Sequence, residues 1–148
     1  MRSRTKYIAI GAGLLLCAVQ FIPVGTSSPV VVPAQTIYAT QPVPQTVRSI
    51  FDNSCSDCHS NQTRWPWYSH VAPVSWMIAD DVHEGRRHLN LSEWRAYSEK
   101  KREEKLESLC EQVTNGDMPD SKYAFVHRKV RLTQDQRDAV CAWVESAR

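Results

Sequence analysis

The chain reads as an all-α protein, and three observations carry that expectation. Apolar residues recur at helical spacing, as in Leu106, Leu109, Cys110 and Val113, and again in Val140, Trp143, Val144 and Ala147. Capping residues stand where those stripes begin and end: Ser98 and Thr133 before them, Gly116 after the first. No stretch alternates polar and apolar residues as a half-buried strand does.

Residues 1–24 stand apart from the rest. Arg2, Arg4 and Lys6 precede an 18-residue apolar run from Tyr7 to Val24, in which Gln20 is the one strongly polar member. A cationic start followed by such a run predicts either a transmembrane signal-anchor or a signal peptide. As a helix the run would measure about 27 Å, just enough for a bilayer core of ~30 Å. Gly25 and Ser27 are small enough for a cleavage site, so both readings stand. Cys17 follows Leu14, Leu15 and Leu16 rather than a small residue, which makes it a poor lipid acceptor.

Residues 25–44 read as a proline-rich linker. Pro29, Pro33, Pro42 and Pro44 punctuate Val, Ser, Thr and Gln without an acid or a helical period, the composition of a semi-rigid spacer. An edge strand through Val30, Val31 and Val32 is the alternative.

The domain is expected over 45–148. Pro44 opens a short helix that buries Val47, Ile50 and Phe51. Pro73 starts a second, with Trp76, Met77 and Val82 on its inner side and Gly85 at its end. Asn90 and Glu93 have capping-box spacing before a turn around Trp94 and Tyr97. Ser98 begins a longer helix closed by Gly116, and Thr133 with Gln136 caps the last.

Charge narrows the function. Over the whole chain Lys and Arg number 18 against 16 Asp and Glu, but from residue 48 onward the count is 15 against 16, close to neutral. A nucleic-acid partner held by phosphate contacts is therefore not expected. Glycine-rich phosphate loops and His-Glu-x-x-His helices are absent from the sequence too.

The chemistry lies at Cys55-Ser56-Asp57-Cys58-His59. A Cys-x-x-Cys-His run is the attachment signature of one covalent haem c. Cys55 and Cys58 are spaced to form thioethers with the two porphyrin vinyl groups, and His59 is the expected proximal iron ligand. Its Nδ1 needs a carbonyl partner to orient the ring. A thioredoxin-like dithiol belongs at a helix start in a βαβ setting, which is missing. A structural zinc site needs a second close ligand pair, whereas Cys110 and Cys141 lie far apart.

For the sixth iron position Met118 is the candidate, in Asn115-Gly116-Asp117-Met118-Pro119, where a helix end meets a stiff loop. Its thioether favours ferrous iron and raises the potential. The bland alternative is a gap-filling core methionine. Among histidines, His127 ranks ahead of His83 and His70. Trp65 and Trp67 could wall a porphyrin, and Arg64 could pair with a propionate, with Arg86 and Arg87 as substitutes. Asn61-Gln62-Thr63 and Asn90-Leu91-Ser92 match the glycosylation sequon. Cys110 and Cys141 flank apolar stripes and are expected to pair in an oxidising compartment, the alternative being two buried thiols.

The stretch CSDCHSNQTRWPWYSHVAPVSW, then DVHEGRRHLNLSEW, then LCEQVTNGDMP with YAFVH, RLT and CAWV, resembles the bacterial haem-binding domain family with a CxxCH motif. QFIPV resembles that family's membrane-proximal segment. The likeness covers nearly everything after Gln20. It implies a small exported, cytochrome c-like helical domain with one covalent haem on Cys55, Cys58 and His59, often behind an N-terminal hydrophobic segment.

The expected function is electron transfer with a redox partner protein on the periplasmic side of the inner membrane, held there by the N-terminal helix or, after cleavage, free in the periplasm. A haem-based sensor with a displaceable sixth ligand is the alternative. An enzyme is not expected, because no acid–base pair accompanies the motif.

Overall fold

The computed structural model describes residues 2–148. Among them lie eight α-helices and no strand. The helices are α1 (Arg2–Val19), α2 (Ile37–Thr40), α3 (Gln45–Ile50), α4 (Ser56–His59), α5 (Val74–His88), α6 (Glu99–Asn115), α7 (Ser121–Val126) and α8 (Gln134–Ala147). The chain divides into two units, one comprising the chain up to Ser27 with Trp65–Asp81, the other Ser28–Arg64 with Val82–Arg148.

In the first unit, α1 is shorter than the apolar run that encodes it. It stops at Val19 rather than Val24, because Pro23 has no N–H to donate and disfavours helix in the residue before it. Arg2, Arg4 and Lys6 occupy its first turns, leaving 13 apolar residues from Tyr7 to Val19. Those measure about 20 Å against a bilayer core of ~30 Å. No helix among the described residues is long and apolar enough to cross a membrane, so the structure lends no support to the transmembrane reading of 1–24. Gln20, just past the helix, spends its side chain on Ala72. Its Nε2 donates to the Ala72 carbonyl at 3.2 Å and its Oε1 accepts from the Ala72 N–H at 3.0 Å.

In the second unit, the expected spacer is folded from Pro33 onward. A 3₁₀ turn at Pro33–Gln35 leads into α2, where Ile37 is fully buried and donates its N–H to the Leu91 carbonyl at 2.8 Å. Tyr38 and Val43 pack on the same core. The prolines set the path, but three apolar side chains among them decide that the segment docks. The Val30–Val32 stretch forms no strand.

The core gathers Phe51, Leu91, Trp94, Leu106, Val113, Leu132, Val140, Trp143 and Val144. Helices α6 and α8 supply the stripes expected of them. Phe51 meets Trp143 edge-to-face at 5.5 Å, and Trp143 Nε1 donates to the Pro42 carbonyl. The Ser98 cap, the left-handed Gly116 at φ 80° and the Thr133–Gln136 capping box all form. Cys110 and Cys141 are joined as a disulfide between α6 and α8.

Two local expectations change. Helix α5 runs through Gly85 to His88, and it buries Ser75, Ala79 and Val82 while Trp76 and Met77 stand exposed. Small side chains let its neighbours approach closely, so the bulky ones turn outward. Asn90 does not cap a helix: its Oδ1 accepts from Ser92 N–H, and Glu93 Oε1 accepts from Asn61 Nδ2.

Candidate functional site

The site grows out of one helical run. Pro44, in extended conformation, caps α3. The run then widens into a π turn over Phe51–Cys55, with Ser56 donating both its N–H and its hydroxyl to the Phe51 carbonyl. A π turn inserts one residue and rephases the helix beyond it, a feature frequent at functional sites. Past it, α4 carries Ser56, Asp57, Cys58 and His59, and Ser60 ends it in extended conformation.

His59 is oriented by α5. Its Nδ1 lies 2.9 Å from the Gly85 carbonyl and 3.1 Å from the Leu89 carbonyl. Carbonyl oxygens only accept, so Nδ1 carries the proton and Nε2 keeps its lone pair. Gly85 lies in the last turn of α5 and Leu89 just beyond it, at the negative end of the helix dipole. Burial lowers the His59 pKa below the ordinary histidine value, outweighing the opposite pull of the Leu89 and Gly85 carbonyls. The ring is thus neutral and aimed, the form that ligates a metal.

Gly85 makes that approach available. A Cβ there would sit 2.7 Å from the Cys58 carbonyl oxygen and 3.1 Å from the Cys58 Cβ. Any side chain at 85 would push α5 away and draw its carbonyl off His59. Reading Gly85 as a helix stop missed this role; the signal lay in Arg86, Arg87 and His88 after it, basic residues typical of a last helical turn.

Cys55 and Cys58 form no disulfide, and each is partly accessible. Burial, with Cys58 and Asp52 nearby, pushes the Cys55 thiol up to about 12. A redox dithiol needs the opposite, a thiolate stabilised near neutral pH. Burial alone would also raise the Asp57 carboxyl, but its bonds to Arg64 and Tyr123 outweigh that and hold it below the usual carboxylate range. Arg64 grips Asp57 at two points, Nε to Oδ1 at 2.9 Å and Nη2 to Oδ2 at 3.0 Å, and Nη2 also donates to the Asp52 carbonyl. Arg64 therefore serves Asp57, a partner inside the motif. Arg86 is likewise tied inward, with Nε to the Ser60 carbonyl and Nη2 to Thr63 Oγ1, both at 2.8 Å. Arg87 pairs with Glu84 on the surface of α5.

The remaining candidates separate. Trp65 and Trp67 belong to the other unit, where Trp67, 78% exposed, meets Tyr68 edge-to-face. Both sequon asparagines are sealed, Asn61 4% and Asn90 5% exposed, and Asn90 Nδ2 donates to Asn61 Oδ1. Neither is open to a glycan.

Met118 lies outside the core. Its N–H and that of Asp117 both donate to the Gln112 carbonyl, closing the end of α6. Past that turn, α7 returns to the motif: the Tyr123 hydroxyl donates to Asp57 Oδ2 at 2.8 Å. His127 stacks on the Tyr123 ring at 4.5 Å, while His83 and His70 are exposed. Helix α7 and Tyr123 were not anticipated; Asp120, which caps the helix by accepting from Lys122 and Tyr123, was the available sign.

A protein-only metal cage takes three or four ligands, and among the described residues no three His, Cys, Asp or Glu side chains gather into one. One neutral histidine beside two thiols instead suits a metal that brings its own equatorial ligands, as a porphyrin does. Fold and site together define an all-helical protein built to hold such a macrocycle. The chain belongs to the haem-binding domain family, whose model matches residues 14–146. It is a haem-binding protein. No curated protein and no solved structure matches the chain.

Proposed function

We propose that the chain carries one haem covalently and passes electrons. Cys55 and Cys58 would hold the porphyrin through thioethers, His59 would bind iron through Nε2, and Met118 would take the sixth position. The observation that carries this reading is the pair of carbonyls on His59 Nδ1, which leaves Nε2 as the ring's available lone pair. Such a group supplies a one-electron couple, and the chain's part is to orient the imidazole, keep it neutral and exclude water. Exposure of Met118 outside the core argues against the gap-filling role.

The basic start and 13-residue apolar stretch of α1 suit the h-region of an export signal. We place the working domain on the periplasmic side, with a redox protein as partner. The Cys110–Cys141 bridge agrees with an oxidising compartment.

Expression with haem-ligation machinery tests the reading. Denatured protein should be heavier by one haem, and the ferric form should be low-spin with a Met–iron charge-transfer band. No mass increase overturns the attachment. A five-coordinate ferrous form that binds CO rapidly would assign the sensor role instead, which the loop position of Met118 would permit.

A further inference from the structure

We propose that Tyr123 is a positioning residue: by donating to Asp57, between the two cysteines, it fastens the 118–127 segment to the Cys-x-x-Cys-His helix and so sets which side chain reaches the sixth iron position. This rests on the reading of a haem held at His59.

The segment has three fixed points. At its start, the Met118 N–H donates to the Gln112 carbonyl at the end of α6, at 3.1 Å. In the middle, Asp120 Oδ1 accepts from Lys122 and Tyr123 N–H groups, so α7 begins as a rigid turn. Both of these tie the segment to itself or to α6. The Tyr123 hydroxyl ties it to the motif, spanning 66 residues of sequence to reach Asp57 Oδ2.

Asp57 is a prepared acceptor. Arg64 holds its carboxylate at two points, so the oxygen that faces Tyr123 is ionised and fixed. A hydrogen bond to a charged acceptor is stronger than one between neutral groups.

The two leading candidates for the sixth position lie on either side of this anchor. Met118 stands five residues before Tyr123. His127 stands four after it, its N–H bonded to the Tyr123 carbonyl and its ring stacked on the phenol. Keeping His127 against Tyr123 leaves Met118 as the side chain presented from the loop.

Tyr123→Phe keeps the ring and its stacking and removes only the hydroxyl, so folding is retained. In haem-loaded protein the expected result is unchanged haem content, a weakened Met–iron charge-transfer band, a lowered potential, and CO binding faster by about ten- to a hundredfold, the worth of one hydrogen bond to a charged group. In a Met118→Ala background the same substitution should add nothing. A wild-type spectrum and CO rate in Tyr123→Phe overturn the proposal. The full chain made without ligation machinery gives a second readout, since amide exchange over 118–127 should quicken in the variant whether or not haem is ever attached. Unchanged exchange there overturns the tether. A wild-type chain that never takes up haem overturns the underlying reading alone.

Discussion

Gly85 and Cys58 meet backbone to backbone: a Cβ at position 85 would come within 2.7 Å of the Cys58 carbonyl oxygen. A backbone carbonyl inside a helix cannot rotate aside as a side-chain end can. The contact is also what puts the Gly85 carbonyl on His59 Nδ1.

Gly85→Ala separates two opposing effects. Helix propensity alone would stabilise the change by about 1 kcal/mol, whereas overpacking costs about 1–3 kcal/mol. Because the obstructing atom is backbone, the steric effect wins, and thermal unfolding should show a net loss. Iron ligation by His59 should weaken in parallel, seen as easier displacement of the proximal ligand at low pH. A raised melting temperature would contradict the close approach.

Substituting either Cys55 or Cys58 with Ala should leave at most one thioether, and the double variant should lose covalent haem altogether. Intact mass after denaturation reads both. The double variant should still retain its helical spectrum, because neither thiol belongs to the fully buried core.

Met118→Ala should lower the reduction potential and open the sixth position, since a soft thioether that favours ferrous iron has gone. Redox titration and CO binding measure it. An unchanged potential would move attention to His127, and an unchanged potential in both single variants would remove the 118–127 segment from the site.

Reducing the Cys110–Cys141 bridge should destabilise the chain. Its sequence separation is 31, for which loop-closure entropy gives about 3–4 kcal/mol. The bridge joins the helix before Met118 to the last helix. Melting with and without reductant shows the loss, and thiol counting on unfolded, unreduced protein should find no reactive thiol from this pair.

Local signals made part of this fold readable. Ser98, Gly116 and the Thr133–Gln136 pair act within a turn of themselves, so they mark α6 and α8 directly. The Cys-x-x-Cys-His spacing is spelled out in the same way. Long-range effects were not readable. The carbonyls that orient His59 lie 26 and 30 residues away. Arg64 finds its carboxylate inside the motif, and Ile37 turns proline-rich chain into core, neither of which composition reveals. The N-terminal run shows hydrophobicity summed over 18 residues overstating a helix that ends at Val19. Pro23, which has no N–H to donate, was the competing influence.

The pairing of Gln20 with Ala72 makes the Ala72 amide a reporter on the chain's own beginning. Both polar atoms of the side chain return to that residue, one accepting from its N–H and the other donating to its carbonyl. Proteolytic removal of the chain before Ser27 would take Gln20 with it and hand the Ala72 amide back to water. Maturation would then be legible 45 residues beyond the cut in sequence: slow proton exchange at Ala72 in the uncut chain, fast exchange in the trimmed one.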